Sequence, residues 1–500
     1  MIKKVICLFI LFVFLIPPNI AQQLSTSEEK KIKLLIEKFG DVDSYINGDA
    51  IEQLSAIGEA AVNDLIESLQ SKNENIRWCS AITLEKIAPM GSNAVPFLIE
   101  ALNDTSSNVR WCSALALGKY KEKAASALSF LQKLLFDDDL DVRWAAYISI
   151  SKIDKEIINK APEFSDVVNK LEELTSKLMS DFKVPGVSIC VIRNYKLVWS
   201  KSFGYADAVS KSLVTNKTVF EACSMSKPVF ALLLLKLVDQ GKLELDKPLF
   251  DYLPENFISN DEEYSKLVTA RMILTHTSGM PNWRKGGEER ENPLPIYFKP
   301  GTKFSYSGEG IYYLQRVVGH ITKEPLDVFA RRNLFDKLGF KSTSFVWTEN
   351  LDSQIASGHD TSGHFKEKSK YLHANAAYTL YTNSEDYAKF IIEVMNPSNS
   401  DVSLSKEMTN EMLSHQIRMD TRDVIDRPGR NLGLFAYRGL GWVIDSTITG
   451  NIVYHSGANQ TGFRCYSQFN PREGSGIVIM TNGDNGNELW RRLISSIGDL

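Results

Sequence analysis

The chain of 500 residues carries 57 Lys and Arg against 61 Asp and Glu, a formal charge of -4, with 43% apolar residues. So small a charge, with no basic stripe, excludes nucleic acid as an expected partner. An average apolar content at this length supports two or three domains with real cores. At the N-terminus, Lys3 and Lys4 precede an apolar run over 5–16, then Pro17, Pro18 and the small residue Ala21. This charged, apolar and small-residue order predicts a secretory signal peptide over residues 1–21, cut after Ala21. The run is shorter than the ~20 apolar residues that span a bilayer. Cys7 lies inside it and not at its end, which argues against a lipoprotein. The expected product is periplasmic or secreted, with no stable membrane anchor. Cys79, Cys112, Cys190, Cys223 and Cys465 then remain, an odd and scattered set from which no disulfide framework is expected. No His-Glu-x-x-His or paired Cys-x-x-Cys motif occurs, and His359 and His364 have no further clustered ligand, so neither metal nor cofactor is expected.

Residues 25–160 carry a repeat. Ile76-Arg77-Trp78-Cys79-Ser80-Ala81 recurs as Val109-Arg110-Trp111-Cys112-Ser113-Ala114 and as Val142-Arg143-Trp144-Ala145-Ala146-Tyr147, each offset by 33 residues. Companion helical segments lie upstream at the same offset, over 61–69, 94–102 and 127–135. Two amphipathic helices per unit, stacked side by side, predict an α-solenoid, with a degenerate helical cap over 27–57. The units resemble short HEAT-like repeats, which implies a protein partner. Arg77, Arg110 and Arg143 are expected to pair with acidic or backbone groups at the preceding turn. Trp78, Trp111 and Trp144 either pack between repeats or line a groove, and Cys79 and Cys112 fill small-residue positions. The pattern stops over 154–166, where Pro162 interrupts it.

From residue 168 onward the patterning changes. Segments 187–192 and 197–203 flank a short polar turn and predict a hairpin. Ser224-Met225-Ser226-Lys227 follows, and then an almost wholly apolar segment, 228–238, closed by Gly241, as in a buried helix with a glycine stop. A serine hydroxyl is a poor nucleophile unless a neighbour accepts its proton. In Ser-x-x-Lys the two side chains stand one helical turn apart, so the lysine amine can fold back onto the serine oxygen. Near a helix start, exposed N–H groups favour developing negative charge there. The same spacing at Ser27/Lys30 and Ser403/Lys406 is read as chance. Downstream come Tyr306-Ser307-Gly308 and, within a strand over 451–455, His455-Ser456-Gly457. Further strands over 462–469 and 477–481 and a terminal helix from about Asn487 complete the chain.

Taken in order, 220–228 (Phe-Glu-Ala-Cys-Ser-Met-Ser-Lys-Pro), 273–281 (Ile-Leu-Thr-His-Thr-Ser-Gly-Met-Pro), 300–306 (Pro-Gly-Thr-Lys-Phe-Ser-Tyr) and 439–442 (Gly-Leu-Gly-Trp) resemble landmarks of the serine beta-lactamase and penicillin-binding-protein family. The resemblance is to its class C-like branch, with D-Ala-D-Ala carboxypeptidases, D-amino-acid peptidases and esterases. It implies a multidomain chain: an all-α HEAT-like solenoid, then, over 168–500, an α/β domain of antiparallel sheet plus helical subdomain. It also implies that Ser224 is the nucleophile that forms an acyl-enzyme, with Lys227 and Tyr306 as the proton-handling pair. The backbone N–H groups of Ser224 and Ala458 would form the oxyanion hole, in a site shared with His455, Ser456 and Gly457. Gly457 would let substrate approach closely, and Cys223 would fill a small buried position.

Two departures bear on substrate. Gly308 stands where class C enzymes have the asparagine of Tyr-x-Asn, and His455 stands where they have the lysine of Lys-Thr-Gly. Both weaken recognition of a carboxylate-bearing amide while leaving nucleophile, base pair and oxyanion hole in place. Arg464 is either a replacement charge or a surface strand arginine. The leading expectation is an exported serine hydrolase acting on ester or amide substrates, small or derived from peptidoglycan. The rivals are a D-Ala-D-Ala carboxypeptidase, D-aminopeptidase or beta-lactamase and, in another class, a catalytically weak penicillin-binding-like binding protein.

Overall fold

The computed structural model describes residues 18–41, 44–135, 137, 139–154, 164–254, 262–284, 294–398, 400–419, 435–447 and 450–498. Of the expected signal peptide, 1–17 lie outside these, as do 155–163 of the expected junction. The chain divides into two compact units, Met1–Lys160 and Ala161–Leu500.

The first unit is helical throughout its described residues. Helices α1 (Pro18–Lys38) and α2 (Ser44–Ile57) precede three pairs, α3 (Val62–Ser68) with α4 (Glu74–Ile87), α5 (Val95–Ala101) with α6 (Ser107–Tyr120), and α7 (Leu128–Leu134) with α8 (Leu140–Ile153). Asn73 and Asp139 cap α4 and α8 with their side chains. The second helices of the pairs stack in a row, α4 on α6 and α6 on α8. They come close because small residues face one another: a Cβ added at Gly118 of α6 would stand 2.5 Å from Ser149 Oγ of α8. Cys79 and Cys112 are buried in the same row.

The arginines behave differently from the sequence expectation in one respect. Arg77 Nη1 does donate to the Ser71 carbonyl at its own preceding turn, but its carboxylate partner is Asp104, at 2.7 and 2.9 Å, in the following repeat. Arg110 likewise binds the Asp104 carbonyl and reaches forward to Asp137 at 2.8 and 2.7 Å. The planar guanidinium fork thus ties one repeat to the next. Trp78, Trp111 and Trp144 are all half-buried.

In the second unit a nine-stranded antiparallel sheet is assembled from both ends of the unit. Its strands are β1 (Gly186–Arg193), β2 (Lys196–Asp207), β3 (Ser212–Leu213), β6 (Ile417–Arg418), β7 (Phe435–Arg438), β8 (Val443–Thr447), β9 (Gly450–Ala458), β10 (Arg464–Asn470) and β11 (Ser475–Thr481), and β4 (Phe220–Glu221) pairs separately with β5 (Tyr381–Thr382). The order is β3-β2-β1-β11-β10-β9-β8-β7-β6. The seam between β1 and β11, Val187 opposite Thr481, joins the two ends. The β1–β2 turn uses Asn194 and Tyr195, both at positive φ (49° and 58°), the geometry that suits a tight hairpin.

Alternation along the strands divides the core in two. Ile189, Tyr466 and Ile479 point towards α9 (Phe164–Phe182) and the terminal helix Gly486–Ile497. Cys190, Val453 and Val478 point towards the helical subdomain. That subdomain centres on α10 (Ser226–Asp239), buried along almost its whole length and closed by Gly241 at φ 66°. Each fully buried leucine there contributes about 2 kcal/mol of transfer free energy.

Candidate active site

The chain reaches Ser224 from β4. Cys223 has φ 55°, a left-handed conformation that a non-glycine residue rarely adopts, and a 3-10 turn over Cys223–Met225 leads into α10. Ser224 therefore stands at the mouth of the helix, and its neighbours hold the turn from several sides. Ser226 Oγ donates to the Cys223 carbonyl at 2.5 Å and accepts from the Leu380 N–H at 3.0 Å, while the Tyr387 hydroxyl donates to the Met225 carbonyl at 3.0 Å. Ser224 itself is half-buried and open to a cleft.

One turn into the helix, Lys227 is 1% exposed, and its Nζ lies 3.1 Å from Ser224 Oγ and 2.6 Å from the Ala377 carbonyl. The Tyr306 ring stands beside it, its centroid 4.8 Å from Nζ. Burial pulls Lys227 below the ordinary lysine range; Tyr306 opposes this by charge and hydrogen bond, and Arg438 adds to it. Tyr306 packs on His276, with ring centroids 4.3 Å apart. His276 Nδ1 accepts the Ser307 N–H at 3.1 Å, so the proton of the neutral ring sits on Nε2. Burial, with Arg438 and Lys227 nearby, pushes His276 well below the usual histidine range and keeps it neutral.

The third motif lies on β9 beyond the reach of β8, whose last partner is Tyr454 opposite Val443. Among the described residues, 455–458 are thus paired on one side only, by β10, and the turn carrying Ser224 packs against β9. Gly457 has a definite role in that packing. A Cβ there would meet the Ala222 carbonyl at 2.2 Å and Cys223 Cβ at 3.0 Å, so the glycine permits the close approach of the Ser224 turn. Ala458, next along, lines the cleft with Ser224. His455 is 4% exposed, with Nδ1 2.7 Å from the Ser456 carbonyl, and burial, then Arg438 and Lys227, hold it well below its usual range. It is neutral at pH 7, where a lysine would be charged. Ser456 is half-buried on the opposite pleat from His455 and Gly457.

Arg464 does not replace the missing charge: its guanidinium binds Asp484 at 2.6 Å and the Phe463 carbonyl at 2.8 Å. Cys223 is fully buried and its thiol is pushed well up, as a small packing residue and not a reactive one. At Gly308 the space for a side chain is occupied, since a Cβ would meet the Trp283 ring at 2.7 Å and the Asn282 carbonyl at 2.9 Å. The Gly308 N–H donates to Asn282 Oδ1 at 3.0 Å.

The cleft has a volume of about 390 Å³, and Ser224, Tyr306, Ala458, Trp283, Tyr371 and Tyr378 are among the residues that line it. Behind its wall is a buried carboxylate that the motifs gave no role. Glu221 Oε2 receives Tyr371 Oη at 2.9 Å, Asn459 Nδ2 at 2.9 Å and Thr461 Oγ1 at 2.7 Å. Burial raises its pKa, against the pull of those three bonds. Glu221 and His276 both fall inside the landmark segments, so the signal for them was a charged or polar residue embedded in an apolar motif.

Comparisons with known proteins bear on the family and the fold. Residues 95–176 match the HEAT repeats family and residues 171–499 match the Beta-lactamase family. Protein flp of Staphylococcus aureus (strain N315) is 25% identical over 334 residues, covering 64% of this chain and 64% of its own length, so the chain spans less than two thirds of that relative. A beta-lactamase of Pseudomonas fluorescens is 23% identical over 346 residues, covering 64% of this chain and 94% of that protein. Among solved structures, the octameric penicillin-binding protein homologue from Pyrococcus abyssi superposes with a TM-score of 0.56 at 22% identity, covering 66% of this chain and 76% of that one. The D-alanine carboxypeptidase AmpC from Burkholderia cenocepacia gives 0.55 at 18% identity, over 67% of this chain and 100% of its own. With a family match over 329 residues (171–499), the chain belongs to the beta-lactamase family of serine hydrolase folds, preceded by HEAT repeats.

Proposed function

We propose that the protein is an exported serine hydrolase that forms an acyl-enzyme on Ser224 and favours small, uncharged esters over beta-lactams. The observation that carries this reading is the buried Lys227 amine 3.1 Å from Ser224 Oγ at the mouth of the cleft. In the first step Ser224 Oγ bonds to the substrate carbonyl carbon and its proton passes to the Lys227/Tyr306 pair. The carbonyl oxygen becomes an oxyanion facing the backbone N–H groups of Ser224 and Ala458. Collapse breaks the bond to the leaving alcohol, which takes the proton back from the pair. Water then repeats the sequence on the acyl-enzyme, releasing the acid and restoring Ser224. Substrate preference is read from the third motif, where a neutral histidine meets a beta-lactam carboxylate in place of a charged lysine, and the nearby cation Arg438 is 5% exposed.

Intact-mass measurement after treatment with a fluorophosphonate tests the reading. One adduct per chain, mapped to Ser224, is the expected result, together with a higher kcat/KM for p-nitrophenyl acetate than for penicillin or cephalosporin substrates. No adduct, or faster beta-lactam turnover, would refute it. The export component predicts a secreted chain that starts after Ala21, readable by N-terminal sequencing. The HEAT repeats are read as a module that docks a protein partner and takes no part in small-substrate turnover.

A further inference from the structure

Two asparagines line the cleft with Ser224, and the protein has spent opposite ends of their amides. Asn282 places Oδ1 on the Gly308 N–H at 3.0 Å. The same N–H is shared with the Asn282 main-chain carbonyl at 3.1 Å; since it can only donate, it faces Oδ1 and not Nδ2, and Nδ2 has no acceptor among the described residues. Asn459 is turned the other way. Its Nδ2 is engaged by Glu221 Oε2 at 2.9 Å and Tyr371 Oη at 3.2 Å, which leaves Oδ1 with no donor among the described residues. The Tyr371 and Thr461 hydroxyls converge on the same Glu221 oxygen and hold the wall in that arrangement.

Among the described residues the cleft thus presents an amide donor from the loop beside Tyr306 and an amide acceptor from the loop after Ala458, neither with a protein partner. We infer that Asn282 and Asn459 are specificity-determining residues that grip a secondary amide in the acyl portion of the substrate. The substrate carbonyl accepts from Asn282 Nδ2 and its N–H donates to Asn459 Oδ1. The preferred substrates are therefore uncharged esters of N-acylated amino acids. This rests on the acyl-enzyme reading above and narrows it. On this inference the side-chain amide that Gly308 lacks is supplied by Asn282, whose Oδ1 accepts the Gly308 N–H. Polar groups in a substrate-lined cleft discriminate strongly, because an analogue without the matching group leaves them unpaired.

The test compares p-nitrophenyl N-acetylglycinate with p-nitrophenyl 4-oxopentanoate, which replaces the N–H by CH2, and with the pentanoate, which lacks both groups. Each rate is divided by that ester's alkaline hydrolysis rate. Wild-type kcat/KM should fall along the series, by on the order of tenfold from first to last. Asn282→Asp keeps the acceptor for Gly308 and removes the donor, and should abolish the gap between the 4-oxopentanoate and the pentanoate. Asn459→Leu should abolish the gap between the N-acetylglycinate and the 4-oxopentanoate. A flat wild-type series, or gaps that survive both substitutions, overturns the inference while fluorophosphonate labelling of Ser224 still stands. Absence of labelling in the wild-type protein overturns the acyl-enzyme reading and this inference with it.

Discussion

The two units solve the problem of making a core in opposite ways. In the solenoid each repeat meets its neighbours, and the strongest polar ties, Arg77 to Asp104 and Arg110 to Asp137, span only 27 residues each. In the hydrolase unit the central seam pairs Val187 with Thr481, so the sheet closes only when the two ends of the unit meet. Local contacts make a structure that can lose parts and keep the rest; long-range contacts make one that stands or falls as a whole. Chemistry that depends on a site built from several distant segments belongs in the second kind.

The sharpest way to separate the units is at the nucleophile. Ser224→Ala should lower acyl-enzyme formation by several orders of magnitude, on the order of the losses seen when a nucleophile is removed, with the thermal unfolding curve unchanged. Residual fluorophosphonate labelling at wild-type level would refute the assignment. Next in size, Arg110→Ala leaves the mostly buried Asp137 carboxylate without its arginine and should cost on the order of 3 kcal/mol. That loss should appear in the unfolding of the solenoid alone, and ester turnover should not change.

A smaller effect sharpens the picture of the base. Lys227 must be neutral to accept a proton, so kcat/KM should rise with pH along a limb whose midpoint lies below the ordinary lysine value of ~10.4. Tyr306 favours the charged lysine. In Tyr306→Phe the limb should therefore move to lower pH, even as the plateau drops through loss of one partner in proton handling. A limb that moves up would show that the lysine titration is governed by something else. Least of all should change when the chain is cut between the units. A fragment beginning at Ala161 should keep its turnover of p-nitrophenyl acetate, and a fragment ending at Lys160 should show helical circular dichroism and no turnover. Loss of activity in the first, while folded, would mean that the repeats complete the site.

What could be read beforehand follows the same division. The repeat helices, the β1–β2 hairpin and the Ser224/Lys227 spacing are local, written within a few turns of chain, and composition or periodicity reveals them. The backbone partner of Arg77 lies at its own preceding turn, as the repeat implies, but its carboxylate partner Asp104 lies one repeat ahead, a contact visible only once the helices stack. The cleft wall is harder still. Asn282, Glu221, Tyr371 and Asn459 come from four separate segments, and nothing in any one of them says that the others lie nearby. The motif marks Gly457 as a point of close approach, but its contact with the Ala222 carbonyl depends on how strand and turn pack.

The contact between Gly457 and Cys223 also limits how this site can vary. Cys223 holds an unfavourable left-handed backbone, and its Cβ would stand 3.0 Å from a Cβ at Gly457. Enlarging position 457 pushes the nucleophile's turn off the strand edge, and Gly457→Ala can be tolerated only if that turn moves. At position 223 the backbone itself favours glycine, but Cys223→Gly also empties a fully buried position, so its relief of strain is offset by a cavity and it gives Ser224 more freedom than turnover can use. In a library randomised at both positions and selected for ester turnover, the surviving variants should keep glycine at 457 and a small residue at 223.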